Sequence, residues 1–125
     1  VILIDLDHFK SVNDNYGHQV GDSVLQELSQ LLRENVRETD YVGRWGGEEF
    51  IVISPKTEIT GTMQLAEKLR KTIDEYRFSD VGNKTASFGV TSYMEGDDED
   101  SMTRRADEFL FIAKEQGRNR VIGET

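Results

Sequence analysis

Residues 44–50, Arg44-Trp45-Gly46-Gly47-Glu48-Glu49-Phe50, place two glycines between a cation–aromatic pair and two carboxylates, and the apolar run Phe50-Ile51-Val52-Ile53 follows directly. Glycines at a tight reversal let the backbone take positive φ and turn one strand into the next. They also leave bare main chain that a flat or charged ligand can approach, with Glu48 and Glu49 at the mouth of the second strand. A further carboxylate stands near the start of the chain, in Val1-Ile2-Leu3-Ile4-Asp5-Leu6-Asp7. The four leading apolar residues read as a buried strand. A buried strand that ends on a carboxylate is costly unless a positive group compensates. Mg²⁺ takes oxygen ligands, commonly one or two carboxylates plus substrate phosphate. Asp5 and Glu48 are therefore candidate ligands of one metal site assembled across a sheet. The plainer alternative is an ordinary hairpin with solvated glutamates.

Other positions could hold a nucleotide. The backbone N–H groups of His8 and Phe9 follow the strand end, where a turn can cradle phosphate oxygens, and Lys10 adds a point charge there. Asp7 is a candidate N-cap for a short helix after the strand, or else a catalytic carboxylate. Asp22 stands near the start of a long helix, where an acid is favoured by the macrodipole. It could instead accept from guanine N1–H and the N2 amino group, which would discriminate strongly against adenine, and Asn13 could pair with a remaining base edge. Arg37 and Asp40, three apart, read in the first instance as a surface ion pair. Lys114 and Arg118 are favoured where they stand, near a helix C-terminus, without any ligand.

The elements that must position these groups follow from periodicity. A strand is expected over about 1–6 and a short helix after it. Gly17 and Gly21 mark a turn, and a long amphipathic helix then carries Val24, Leu25, Leu28, Leu31, Leu32 and Val36 on one face. Strands are expected over about 41–45 and 49–54. A helix from about Thr62 to Tyr76 turns Leu65, Ala66, Leu69, Ile73 and Tyr76 inward. Residues 84–93 read as a strand. Residues 95–100 form an acidic loop that supplies an N-cap. The last helix starts near Ser101, buries Met102, Ala106, Phe109, Leu110 and Ala113, and ends with Gly117 as its C′ residue. A short strand over 120–122 closes the chain. This order gives an α+β fold with a central sheet covered by helices.

The chain has 125 residues, enough for one domain with a sizeable core, with no internal repeat or linker. Its net charge of −9 argues against nucleic-acid polymers and anionic membranes as partners, though not against a mononucleotide held by a metal and a few placed cations. No segment reaches transmembrane length and no signal peptide is expected. The absence of cysteine excludes disulfides and thiolate metal sites. It fits a reducing compartment, so a cytoplasmic location is expected for this domain, with any membrane anchor elsewhere in a longer protein.

Over essentially its whole length the chain resembles the GGDEF domain, the catalytic domain of diguanylate cyclases. The signature stands as Gly46-Gly47-Glu48-Glu49-Phe50. Asn13 followed by Gly17-His18 and Gly21-Asp22 matches the family's guanine-binding stretch. Arg37 and Asp40, five residues before Gly46, match its RxxD inhibitory site. Arg105-Ala106-Asp107, Ala113-Lys114 and Gly117-Arg118-Asn119 match its last helix. The resemblance implies a mostly antiparallel sheet of the ferredoxin-like, nucleotidyl-cyclase palm type. It implies condensation of two GTP into cyclic di-GMP and two pyrophosphates, with Mg²⁺ or Mn²⁺ held by Asp5, Glu48 and the Leu6 carbonyl.

The remaining roles also come from the resemblance. Glu49 is a second metal ligand or a proton acceptor. Lys10, Lys114 and Arg118 hold phosphates, and Asn13 and Asp22 hold the base. Product feeds back at Arg37 and Asp40, with Lys68 in place of a second arginine, keeping the charge but losing the fork. The partners implied are GTP, cyclic di-GMP, a second GGDEF domain in a homodimer and an upstream sensor domain. A helix and an LTGLxNR-type stretch that normally precede the first strand are expected to be missing. The alternative is a catalytically silent domain that binds GTP or cyclic di-GMP as a signalling receptor, which the undamaged signature disfavours. Asp22 speaks against an adenine-containing product, and the acidic charge against a polymerase palm.

Overall fold

The computed structural model describes residues 1–124. Strand β1 (Ile2–Leu6) is the centre of a five-stranded sheet of order β2-β3-β1-β6-β7, and all five of its residues are buried. It is flanked antiparallel by β3 (Glu49–Ile53) and β6 (Ala86–Val90). Strand β2 (Tyr41–Gly46) joins β3 as the hairpin, and β7 (Val121–Gly123) runs parallel to β6 at the far edge. With helices between β1 and β2 and between β3 and β6, this is the ferredoxin-like arrangement expected. The sheet is antiparallel except at its last pair.

The period of two along β1 divides the core. Ile2, Ile4 and Leu6 face the larger cluster, where α2 (His18–Glu34) contributes Val24, Leu25, Leu28 and Leu32, and α3 (Ile59–Glu75) contributes Ala66, Leu69 and Ile73. Leu3 faces the other way, packed with Ile51 against Ala106 and Leu110 of α4 (Glu99–Glu115). Asp5 shares that second face, so the helix that covers Leu3 also reaches the carboxylate.

Several local expectations need correction. Gly21 does not mark a turn; it lies buried in α2, which starts at His18. A Cβ there would collide with the Asn13 side chain on α1 (Phe9–Tyr16), so the glycine serves close packing of the two helices. Asp22 therefore sits in the second turn of α2 rather than at its start. Asp7 does not cap α1. The N-cap is His8, with φ of 58° and no side-chain cap, because the Asp7 carboxylate is engaged elsewhere. Helix α3 starts at Ile59, and the strand expected over 84–93 is confined to Ala86–Val90. A two-stranded hairpin, β4 (Arg77–Phe78) with β5 (Gly82–Asn83), was not anticipated.

Helix α4 is fixed at both ends. The acidic loop supplies its cap as expected: Ser101 N donates to Asp98 Oδ1 at 2.8 Å, and Asp98 N donates to Ser101 Oγ at 3.0 Å, a capping box. Arg105 donates to Asp97 Oδ2 at 2.7 Å, to Glu124 Oε1 at 2.8 Å and to the Ser92 carbonyl at 2.9 Å. At the other end Arg118 N donates to the Ala113 carbonyl and Gly117 N to the Lys114 carbonyl, a Schellman closure with Gly117 at φ of 120°.

Between these ends α4 lies directly on β6. A Cβ on Gly89 would collide with the Ala106 carbonyl oxygen and the Leu110 amide nitrogen. Both are backbone atoms of the helix and cannot step aside. Gly89→Ala is expected to cost about 2–3 kcal/mol by forcing α4 off the sheet, read as a fall in the denaturant midpoint at unchanged slope. A variant as stable as the parent would show that α4 can ride higher at no cost.

Candidate active site

The hairpin brings the acidic end of β3 beside the end of β1. Asp5 and Glu49 are direct cross-strand partners, and Glu48 stands in the connection just before β3. Of the two glycines only Gly47 has positive φ, 44°; Gly46 ends β2 past an irregularity in register at Arg44. Neither has a heavy atom within 4 Å of where a Cβ would stand, so the main chain is bare there as expected. Arg44 donates to the Gly47 carbonyl and lies 5.9 Å from the Phe50 ring centroid, which ties the turn to its own strand.

A cleft of about 430 Å³ opens at this end of the sheet. Asp5, Leu6 and Asp7 form its floor and Glu48 one wall. His8, Phe9 and Lys10 enter from the start of α1, and Lys114 and Arg118 from the end of α4. The structure thus gathers eight of the expected metal and phosphate residues around one space. Asn13 and Asp22 are not among its lining; Asn13 lies against Gly21 and Asp22 is exposed. Glu49 lines an adjoining recess with Trp45, Arg104 and Asp107. Arg37 and Lys68 line a separate groove beside the end of α2.

Two acids at the end of the central strand are almost wholly covered, Asp5 at 6% exposure and Asp7 at 3%. Asp7 is met by neutral hydrogen-bond donors. It accepts from Ser87 Oγ at 2.6 Å, Thr85 Oγ1 at 2.6 Å and the Asn119 amide at 3.0 Å. This joins the end of β1 to β6 and to the turn after α4, and that turn carries Arg118. Asp5 is met by the Lys114 ammonium. Burial nevertheless holds its carboxyl above the ordinary carboxylate value, and Glu48 and Asp7 push the same way against Lys114.

The cleft therefore carries surplus negative charge on hard oxygen donors. Asp5, Glu48 and the strand-end carbonyl of Leu6 fit Mg²⁺ or Mn²⁺, whose remaining positions are commonly filled by water and phosphate. Among the described residues no three His, Cys, Asp or Glu side chains cluster closely enough to enclose a metal by themselves.

Sequence reasoning missed Thr85 and Ser87. Their signal was two small hydroxyl residues two apart, hence on one face of a strand whose other face is apolar. Ser11 and Asp14, which also line the cleft, carried no such signal.

The α+β sheet thus carries, at one end, a cleft with acidic residues at its centre and cations from two helices around it. Comparison with known proteins makes this specific. The family model for the diguanylate cyclase GGDEF domain matches residues 1–120. The diguanylate cyclase VdcA of Vibrio cholerae is 41% identical over 98% of this chain, which spans 38% of that relative's length. The solved active GGEEF domain of a diguanylate cyclase from Vibrio cholerae is 37% identical with a TM-score of 0.92, over 99% of this chain and 81% of that one. The GGDEF domain of DgcB from Caulobacter crescentus, solved in complex with c-di-GMP, is 30% identical with a TM-score of 0.92, over 98% of this chain and 75% of that one. The chain belongs to the GGDEF family. Among the described residues no helix is long and apolar enough to cross a membrane.

Glu49 provides a test of the electrostatics. Burial, then Asp5 and Asp107, raise its carboxyl above the ordinary 4.5, against a smaller opposing pull from Lys114. A carboxyl raised in the folded state contributes stability that is full below its unfolded value and lost as pH rises through its folded value. In metal-free buffer Glu49→Gln should therefore melt higher than the parent at about pH 8, and the two should coincide at about pH 3.5. A variant that melts lower than the parent at about pH 8 would mean that ionised Glu49 is held by net favourable contacts.

Proposed function

We propose that the chain is the catalytic domain of a diguanylate cyclase, which condenses two GTP into cyclic di-GMP and releases two pyrophosphates. The observation that carries this reading is the single cleft in which Asp5 and Glu48 face Lys10, Lys114 and Arg118. Its acids suit a divalent cation and its cations suit a triphosphate. Kinship with named cyclases supports the choice of reaction, and the match of Asn13 and Asp22 to the family's guanine-binding stretch supports guanine as the base.

In each half-reaction the 3′-hydroxyl of one GTP attacks the α-phosphorus of the other. The new P–O bond forms as the bond to pyrophosphate breaks, and the hydroxyl proton is lost. Asp5, Glu48 and the Leu6 carbonyl would hold a divalent cation, Mg²⁺ or Mn²⁺, which would supply Lewis-acid stabilisation of the charge that develops on the phosphate. Lys10, Lys114 and Arg118 hold the triphosphate in line, since phosphoryl transfer depends mainly on position and charge. The main-chain N–H groups at His8 and Phe9 lie in the first turn of α1, whose early amides have no intrahelical acceptor. His8 adopts a left-handed conformation there, and such a turn can point successive amides at phosphate oxygens. Glu49, half-buried with a raised carboxyl pKa, is suited to accept the hydroxyl proton.

One domain holds one GTP, so two copies must face each other for reaction. Arg37, Asp40 and Lys68 form a second, regulatory site for the product. There Asp40 accepts from Arg37 N at 2.9 Å and Arg37 Nε at 3.4 Å, and Lys68 Nζ donates to the Asn35 carbonyl at 3.1 Å. Burial pulls the Asp40 carboxyl up, but the hydrogen bonds from Arg37 outweigh it and hold it below the ordinary value.

Incubation with GTP and Mg²⁺ should yield cyclic di-GMP and pyrophosphate by mass spectrometry. Glu49→Ala should lower kcat about 100-fold or more at a similar melting temperature. Absence of product from the full-length protein in its dimeric form would transfer the domain to the signalling receptors. Specific activity should fall on dilution below the dimer dissociation constant. A flat profile there would remove the requirement for two facing domains.

A further inference from the structure

The Arg37 side chain is largely exposed, at 62%, whereas the Asp40 side chain beside it is fully covered. An exposed arginine ordinarily samples many rotamers, and fixing it on a ligand costs entropy. Here its far end is held. Arg37 Nη2 donates to Thr57 Oγ1 at 2.9 Å, across twenty residues of sequence, from the end of α2 to the loop between β3 and α3.

Thr57 is itself fixed. Its hydroxyl donates to the Pro55 carbonyl at 3.1 Å, so its one hydrogen is committed and only lone pairs face the guanidinium. Its methyl group lies over Gly61, where an added Cβ would stand 2.9 Å from Thr57 Cγ2. Lys56, before it, takes a left-handed φ of 56°, which turns the loop back towards α2. Arg37, Thr57, Gly61 and Lys68 all line one groove of about 440 Å³.

We propose that Thr57 is a positioning residue for this groove: it holds the Arg37 fork in place to receive an anionic guanine dinucleotide, with Lys68 on the α3 side. The inference rests on the reading of Arg37, Asp40 and Lys68 as a cyclic di-GMP site. Asp40 accepts from Nε and, at 3.5 Å, from Nη2, and Thr57 gives Nη2 a second and shorter bond that fixes the fork from the opposite loop. The Nη1 group has no partner among the described hydrogen bonds of Arg37 and remains for the ligand.

The test is calorimetric titration of cyclic di-GMP into the full-length protein and its variants, with GTP turnover measured before product accumulates. Thr57→Val keeps the branched shape on Gly61 and removes the acceptor. It should weaken cyclic di-GMP binding about tenfold, while the initial rate and the KM for GTP stay at parental values. Thr57→Ser restores the hydroxyl and should bind within about twofold of the parent. A general structural role for Thr57 would not produce this split between the two ligands or the rescue by serine. Parental or tighter binding by Thr57→Val, with binding lost in Arg37→Ala, would overturn the role of Thr57 and leave the site reading intact. Parental binding by Arg37→Ala would overturn the site reading, and the inference with it.

Discussion

Two carboxylates at the end of the central strand are the constraint to which the rest of the structure answers. Asp5 lies within a strand buried on both faces and Asp7 directly after it, both almost wholly covered, and charge in such a place is tolerated only when it is bonded or paired. The chain solves the problem twice, by different means. Asp7 receives three neutral donors and becomes a structural knot between β1, β6 and the turn after α4. Asp5 receives a single ammonium and is left under-compensated, with its carboxyl raised by burial. The first acid ties the site together, and the second is the carboxylate that the proposed function assigns to a divalent cation.

Precision at the cleft comes from α4, which is locked by features remote from the chemistry. The capping box and the Arg105 cluster set its start, Gly89 sets its height above the sheet, and the Schellman turn sets its end. Lys114 lies in the last turn and Arg118 just beyond it, so an error in any of these would be carried to the phosphate-facing cations. Arg118 and Asn119 both adopt left-handed conformations, at φ of 65° and 47°. Two such residues in succession are costly unless the surroundings require them. The bond from the Asn119 amide to Asp7 provides one such requirement.

What the sequence disclosed and what it hid divide along physical lines. Local rules read well: the apolar run of β1, the Gly-Gly hairpin, the acidic cap of α4 and Gly117 at its close all depend on neighbours in the chain. Gly21 misled because a glycine that breaks a helix and one that admits a packed helix look alike in sequence; only the Asn13 side chain above it tells them apart. Asp7 misled for a similar reason, since an acid after a strand suits a cap until three distant donors claim it. Lys114 and Asp5 are 109 residues apart. Neither charge could be paired from spacing, and it took the resemblance to a known family to place both in one site.

The charge of −9 looks unsuited to a protein proposed to grip a triphosphate and a dinucleotide. The resolution lies in how the cations are kept. Lys114 is tied to Asp5, and Arg37 to Asp40. Each cation waits beside its own carboxylate, nearly neutral as a pair. A ligand with one negative charge has little advantage over that resident partner. Two or more charges arriving with further contacts can compete, because several charge-assisted bonds then form at once. On the proposed reading of these two sites, such pairing would favour polyvalent anions over small ones, and the acidic remainder of the surface would repel polymers that otherwise compete.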